Sequence, residues 1–389
     1  MSQLLESRWS ETKDALLEGL QGNKRTVMAT TLENTRKYLS ESATAGATSA
    51  GNVATLNRVI LPVIRRVMPT VIANELVGVQ PMTGPVGQIH TLRVRYSDTF
   101  SGSTGGSTTA GDEALSPFKI AEGYSGASPG KPASTAALEG VAGNKLSIQI
   151  LKQTVEAKTR KLSARWTFEA AQDAQAQQGI DIEAEIMAAL AQEITAEIDQ
   201  EVLRSLASLS STVLTYDQAA VSGTATFVGD EHAALAVQIN RASNLIAQRT
   251  RRGAGNWAVV SPTTLTLLQS ATTSAFARTT EGTFEAPTNT KFVGTLNSAM
   301  KVYVNTYAEN DNVLIGYKGG SESDAAAFYC PYIPLMSSGV VLDPATFEPV
   351  VSFMTRYGYV ELTNTASSLG NAADYLATVA VTSANLRFA

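Results

Sequence analysis

Two histidines, His90 and His232, and one cysteine, Cys330, are all this chain offers for imidazole or thiol chemistry. Zinc sites need Cys and His at close spacing, and no such cluster occurs. Neither histidine adjoins a Gly-flanked serine of the kind used in acyl transfer. His90 falls in the alternating run Gln88-Ile89-His90-Thr91-Leu92-Arg93-Val94-Arg95-Tyr96, which predicts an exposed strand position. His232 follows Asp230 and Glu231 at the start of a helical pattern, where polar residues serve the helix end. Cys330 sits within Phe328-Tyr329-Cys330-Pro331-Tyr332, the setting of a small buried thiol, and a single cysteine forms no intrachain disulfide.

The most enzyme-like segment is Gln248-Arg249-Thr250-Arg251-Arg252-Gly253-Ala254-Gly255-Asn256. A basic, glycine-bearing loop can cradle a phosphate, but it lacks the G-x-x-x-x-G-K-[ST] spacing. It also runs from helix to strand, whereas a phosphate cradle runs from strand to helix N-terminus. Basic residues followed by glycine are an ordinary helix stop. No catalytic, cofactor-binding or metal-binding residue is assigned, no cofactor is expected, and the chain is not read as an enzyme.

Composition narrows the partners. A net charge of -5 and a pI near 5.3 do not suit a protein that grips nucleic acid through clustered cations, so nucleic acid is expected to be enclosed rather than bound. No apolar run approaches the roughly 18 to 20 residues of a membrane span. Charged residues throughout Met1 to Leu20 argue against a signal peptide, and synthesis and folding in a cytoplasm are expected.

The elements that organise these residues alternate between helix and strand. Residues 1 to 22 form an amphipathic pattern (Leu5, Trp9, Leu16, Leu20), followed to about Val53 by polar, small residues that predict a flexible connector. Leu56 to Ala73 reads as a helix limited by two prolines. Ser97 to Asn144 is rich in Gly, Ser, Thr, Ala and Pro, too long for an ordinary loop, and is expected to find its partners on a neighbouring subunit. Its flanks, Thr91 to Tyr96 and Ser147 to Phe168, alternate as strands. Ile182, Ile186, Leu190, Ile194, Ile198, Val202 and Leu206 then predict one helix over 182 to 209, about 40 Å long, with Asp181 as N-cap. Glu231 to Arg249 is helical; Trp257–Val260, Lys301–Asn305, Val313–Tyr317, Ala326–Tyr329 and Pro349–Met354 are strand-like. The class is α+β.

Several blocks resemble a known family. Val63-Ile64-Arg65-Arg66-Val67-Met68-Pro69 with Gly78-Val79-Gln80-Pro81-Met82-Thr83-Gly84-Pro85-Val86-Gly87-Gln88 is similar to the opening of the folded core in major capsid proteins of T-even-type, contractile-tailed bacteriophages. Val155-Glu156-Ala157-Lys158-Thr159-Arg160-Lys161-Leu162 with Glu169-Ala170-Ala171-Gln172-Asp173 resembles their lead into a long helix. Arg252-Gly253-Ala254-Gly255-Asn256, Gly316-Tyr317-Lys318-Gly319 with Asp324-Ala325 and Tyr329-Cys330-Pro331-Tyr332, and Phe353-Met354-Thr355-Arg356-Tyr357-Gly358 complete five blocks in the same order over residues 63 to 358.

The resemblance implies the Hong Kong 97-type capsid fold. Its parts map here as an N-terminal arm (1–55), a first peripheral piece (56–96), an extended loop (97–146), a second peripheral piece with a spine helix (147–222, helix 182–209), an axial domain (223–345), and a return to the periphery (346–389). Implied with it are self-assembly as hexamers and pentamers into a head shell around double-stranded DNA, contact with portal, scaffold and decoration proteins, and a place in the virion after assembly in the host cytoplasm. Arm and loop are expected to be completed only by sister copies. Such relatives carry a larger insertion in the loop and a cleaved N-terminal segment. Here Leu4-Leu5-Glu6, Leu16-Leu17-Glu18 and Leu39-Ser40-Glu41 all fit the loose hydrophobic-x-Glu cleavage pattern, so the pattern selects no site, and an uncleaved arm is expected. The competing readings are the shell of a bacterial encapsulin-type nanocompartment and, from another class, a soluble enzyme using the Arg249 to Asn256 loop.

Overall fold

The computed structural model describes residues 20–44, 72–101, 107–112, 132–178, 181–210, 212–221, 228–250, 252–271, 276–278, 291–297, 299–322, 324–346, 348–362 and 372–382, with shorter pieces between and beyond them. Three sheets carry the fold. The first joins β1 (Gly78–Val79), β11 (Ala327–Ser337), β13 (Pro349–Glu361) and β12 (Val341–Leu342) in that order, with β4 (Lys158–Arg165) also paired to β13. The second has seven strands. These are β5 (Thr212–Tyr216), β14 (Leu376–Val381), β10 (Val313–Gly316), β6 (Trp257–Val260), β9 (Met300–Val304), β8 (Lys291–Leu296) and β7 (Phe276–Arg278), again in sheet order. The third is a hairpin of β2 (Val86–Tyr96) and β3 (Leu146–Glu156), registered from Val86↔Glu156 to Tyr96↔Leu146.

Both faces of the second sheet are covered, which explains the unbroken apolar runs of its strands. Ala258, Val260, Val302, Ile315 and Val379 face one core with Leu235, Ile239 and Ile246 of a helix over Val228–Thr250. Trp257, Val259, Tyr303, Leu314 and Leu376 belong to the other core, shared with the first sheet and the long helix. The strand period of two thus sends alternate residues of one sheet to two different cores.

Helices are labelled α1 (Gly22–Thr44), α2 (Ala73–Leu76), α3 (Phe168–Gln178), α4 (Ile182–Leu209), α5 (Val228–Thr250) and α6 (Pro262–Ser270). α4 has the bounds read from its apolar spacing. The Asp181 carboxylate caps it by accepting from Glu183 N at 3.1 Å. Leu190, Ile194, Ile198, Val202 and Leu206 are buried, each contributing on the order of 1.5–3 kcal/mol.

Three expectations are corrected. The stretch read as a flexible connector is regular helix over Gly22–Thr44, and it packs on the chain's own first core through Val27, Met28 and Leu32. Its apolar stripe is diluted by Thr31, Asn34 and Thr35, but these are satisfied: the threonine hydroxyls donate to carbonyls within the helix, and Asn34 Nδ2 donates to Met82 O and Tyr332 O at 2.7 and 2.9 Å. Trp9, Leu16 and Leu20 also rest against this core, so this part of the arm needs no sister copy. Second, Ser147 to Phe168 is two strands divided at Ala157, and Phe168 already begins α3. Third, β11 and β13 run well beyond the expected segments. Pro331 and Pro334 argue against a long strand there, but register shifts between Pro331 and Ile333 and between Ile333 and Leu335 absorb them. The helix read at Leu56 to Ala73 lies outside the described residues except for its last two positions, and Ala73 opens α2.

Candidate assembly surface

The residues singled out for chemistry are dispersed. His90 is exposed on β2, as its alternation predicts. His232 is buried on α5; its Nδ1 lies 2.6 Å from Ser270 Oγ, its Nε2 has no partner, and burial lowers its pKa against the opposing pull of Glu231. Cys330 is buried in β11, where desolvation pushes its thiol up to about 11 and leaves it unreactive at neutral pH. Among the described residues no group of His, Cys, Asp and Glu could hold a metal ion, and no helix is long and apolar enough to cross a membrane.

The basic glycine loop is a structural joint. Arg252 Nη1 meets Asp324 Oδ1 at 2.7 Å, and the Asn256 amide clasps Lys318, donating to its carbonyl at 2.6 Å and accepting from its N–H at 3.0 Å. A Cβ on Gly253 would stand 2.5 Å from the Tyr317 ring, and one on Gly316 would stand 2.0 Å from Trp257. Two of the blocks that carry the family resemblance therefore meet face to face, and their glycines exist for close approach. From the same knot Lys318 Nζ donates to Asn74 O at 2.9 Å, and Val79 N donates to Glu322 Oε2 at 2.9 Å, tying α2 and β1 to the segment that follows β10.

A second network holds β4 and β13 to α4. Arg160 reaches Glu197 at 2.8 Å and Glu201 at 2.6 Å, and Tyr357 donates to Glu201 as well. Burial works to raise the Glu201 carboxyl, but the hydrogen bonds from Tyr357 and Arg160 outweigh it and hold it below the ordinary range. Deeper on α4, Asp199 accepts from Ile72 N at 2.8 Å while its Oδ2 has no partner.

The third feature is the hairpin. Residues opposite each other in its register share a face, so Leu146 and Ile148 of β3 lie beside Tyr96 and Val94 of β2, and Ile150 follows on the same face. The start of the excursion folds onto the β2 half. Tyr96, Ala114 and Tyr124 form a small core with Val94 and Phe100 against it. Tyr124 OH donates to Lys145 O at 2.7 Å, and Asn144 Nδ2 donates back to Tyr124 O at 2.7 Å. Part of the excursion is thus satisfied within the chain, which corrects the expectation that it is completed only by sister copies. The β3 half stays bare: Leu146, Ile148 and Ile150 are 55%, 67% and 66% exposed. A row of large aliphatics on a projecting two-stranded ribbon is a surface made for contact. Its signal in the sequence was Leu146-x-Ile148-x-Ile150, apolar alternation with no opposing core to receive it.

Residues 53–381 match the family described as Major capsid protein Gp23. The chain belongs to the Gp23 major capsid protein family. It is the major capsid protein of a tailed-phage head shell, a structural component of the virion and not an enzyme. Among relatives, the chain is 29% identical to the major capsid protein of Vibrio phage KVP40 over 85% of this chain and 82% of that one. It is 30% identical to the major capsid protein of Enterobacteria phage T4 over 82% and 78%. Among solved structures, "The capsid of Myoviridae Phage XM1" aligns with 79% of this chain and 91% of that one at 9% identity and a TM-score of 0.44, a likeness on which nothing here rests. The Gp23 match supports the capsid reading and gives none to the nanocompartment alternative.

Proposed function

We propose that copies of this Gp23-family capsid protein assemble as hexamers and pentamers into a head shell around double-stranded DNA, with the β2–β3 hairpin and its excursion reaching across to a neighbouring copy. The Hong Kong 97-type fold expected of this family gives the parts their roles. Residues 1–55 are the arm, 56–96 and 147–222 the peripheral domain with α4 as spine, 97–146 the extended loop, 223–345 the axial domain and 346–389 the return. Assembly takes place in the host cytoplasm, and portal, scaffold and decoration proteins are the remaining partners. The observation that carries the proposal is the bare row Leu146, Ile148 and Ile150. A net acidic balance suits a wall that contains DNA without holding it, since clustered cations would resist packaging and release. Individual contacts can be weak because each copy makes several at once.

The test is Ile148→Glu with Ile150→Glu. Both positions are exposed, so the subunit keeps its circular dichroism and unfolding midpoint. Particle formation, read by sedimentation, fails because burying two carboxylates at a contact costs several kcal/mol. Normal particles from this variant would remove the hairpin from the assembly surface.

A further inference from the structure

Charge is segregated along this chain in a way its own fold does not use. From Lys145 to Arg165 there are six cations (Lys145, Lys152, Lys158, Arg160, Lys161, Arg165) and one carboxylate, Glu156. From Glu169 to Glu201 there are nine carboxylates and no Lys or Arg. The first stretch is β3 and β4; the second is α3 and most of α4. They are neighbours in sequence and β4 lies beside α4, yet among the described residues only Arg160 makes ion pairs between them, with Glu197 and Glu201, and Lys158 adds a longer-range attraction to Glu201. Lys152 and Lys161 are exposed and make no ion pair there, and Arg165 only approaches Glu348 at 3.7 Å. On the helix Glu183, Glu185 and Glu193 are likewise exposed and without an ion pair among the described residues.

The carboxylates are not spread evenly around α4. Glu185, Glu193 and Glu197 are exposed and fall within about 120° of its circumference, a sector that adjoins the buried stripe of Leu190, Ile194 and Ile198. That side borders an open trough of about 770 Å³ between α4 and the segment Thr306–Ala308, lined by Glu193, Glu197 and Glu201. The two cations lining it are already committed, Arg160 to both Glu197 and Glu201 and Arg204 to Glu309, which leaves Glu193 without an ion pair among the described residues. The trough therefore presents surplus negative charge beside solvent-exposed Tyr307.

We propose that the cationic β3–β4 strip of one copy docks against the carboxylate face of α4 on a second copy. The occupant is a second copy because the two patches complement each other in sign and both are borne by every subunit. Because they are different patches, the contact is heterologous. Such contacts repeat in one rotational sense and form rings where the rotation closes, the geometry a capsomer needs, whereas a self-complementary patch would stop at a dimer. The inference rests on the capsid reading and adds the charges that set the register of neighbours; long-range attraction of this kind steers encounter and rejects wrong docking more than it adds affinity.

The experiment is a charge-reversal pair on the full chain. Lys152→Glu with Lys161→Glu brings like charges together, so particle yield at low salt falls by more than about tenfold while circular dichroism and the unfolding midpoint stay at parental values. Glu185→Lys with Glu193→Lys does the same alone. Combining all four changes restores particles. Wild-type assembly also weakens as salt is raised, because the screening length contracts from about 10 Å at 0.1 M to about 3 Å at 1 M. Normal yield from either single-sided variant, or no recovery in the combined one, overturns the proposal. Unchanged particle yield with altered nucleic-acid content in the Lys variant overturns it in favour of nucleic acid as the partner of the strip. Failure of the unmodified chain to form particles would instead sink the capsid reading, which keeps the two failures apart.

Discussion

Replacing Asp199 with Asn tests how α4 is tied to the head of α2. Asp199 is 2% exposed, and its Oδ1 accepts from Ile72 N at the head of α2. Its other oxygen has no partner, and the neighbouring Tyr329 is itself buried and raised in pKa. Desolvation, against the smaller lowering by the Ile72 N–H, lifts the carboxyl from an ordinary 3.8 to about 7. The folded chain then binds the proton more tightly than the unfolded one. The group's contribution to stability is fully present below about pH 4 and is lost as pH rises through about 7. A shift of this size is worth about 4 kcal/mol. Asn cannot ionise, and it still offers an oxygen to Ile72 N. Its NH2 adds a buried donor whose cost of about 1–3 kcal/mol is the same at every pH. The difference in stability between variant and parent therefore changes by about 4 kcal/mol in the variant's favour between pH 4 and pH 8. With an unfolding entropy of about 2.1 cal/mol/K per residue, this moves the relative melting temperature by about 5 °C. Calorimetric scans of both proteins across that range provide the reading. Parallel pH profiles, agreeing within about 1 °C throughout, would refute the buried neutral carboxyl.

Two further outcomes follow from the joint and the hairpin. Gly316→Ala drives a methyl into the buried Trp257 ring at the centre of the second sheet and lowers stability by about 1–3 kcal/mol, seen as a lower urea midpoint with an unchanged slope; an unaltered midpoint would contradict the close approach. Tyr124→Phe removes two hydrogen bonds at the base of the excursion, one donated to Lys145 O and one accepted from Asp98 N, which costs about 1–3 kcal/mol locally and speeds hydrogen exchange near residues 96–100 and 144–146 while leaving α4 protected; equal protection there would show that the clasp is not closed in solution.

How much of this was legible in the residues differs by element. α4 was readable end to end because its stripe repeats every four residues and Asp181 marks its start. β6 was readable because four apolar residues lie between a glycine turn and Ser261. α1 was not, since its buried face alternates Val27, Met28 and Leu32 with Thr31, Asn34 and Thr35; the threonines bond carbonyls within the helix, and the partners of Asn34 are distant in sequence. β11 was read too short because proline is normally a strand breaker, and only the bulges opposite β13 reveal its continuation. The family-specific blocks were visible, but not that the Arg252–Asn256 and Gly316–Gly319 blocks interlock, since that juxtaposition depends on the pairing of β6 with β10. The assembly surface was half legible. The excursion's length and composition pointed to it, whereas the bare Ile148–Ile150 row emerges only once Val155 and Ile89 are seen to reach the first core while residues 146–150 do not.

Electron microscopy of the purified chain, alongside a version lacking residues 100–142, addresses the central claim most directly. The full chain is expected to form closed shells of six- and five-fold capsomers, and the shortened chain folded subunits with no shells. Solitary full-length molecules, or intact shells from the shortened chain, would contradict it.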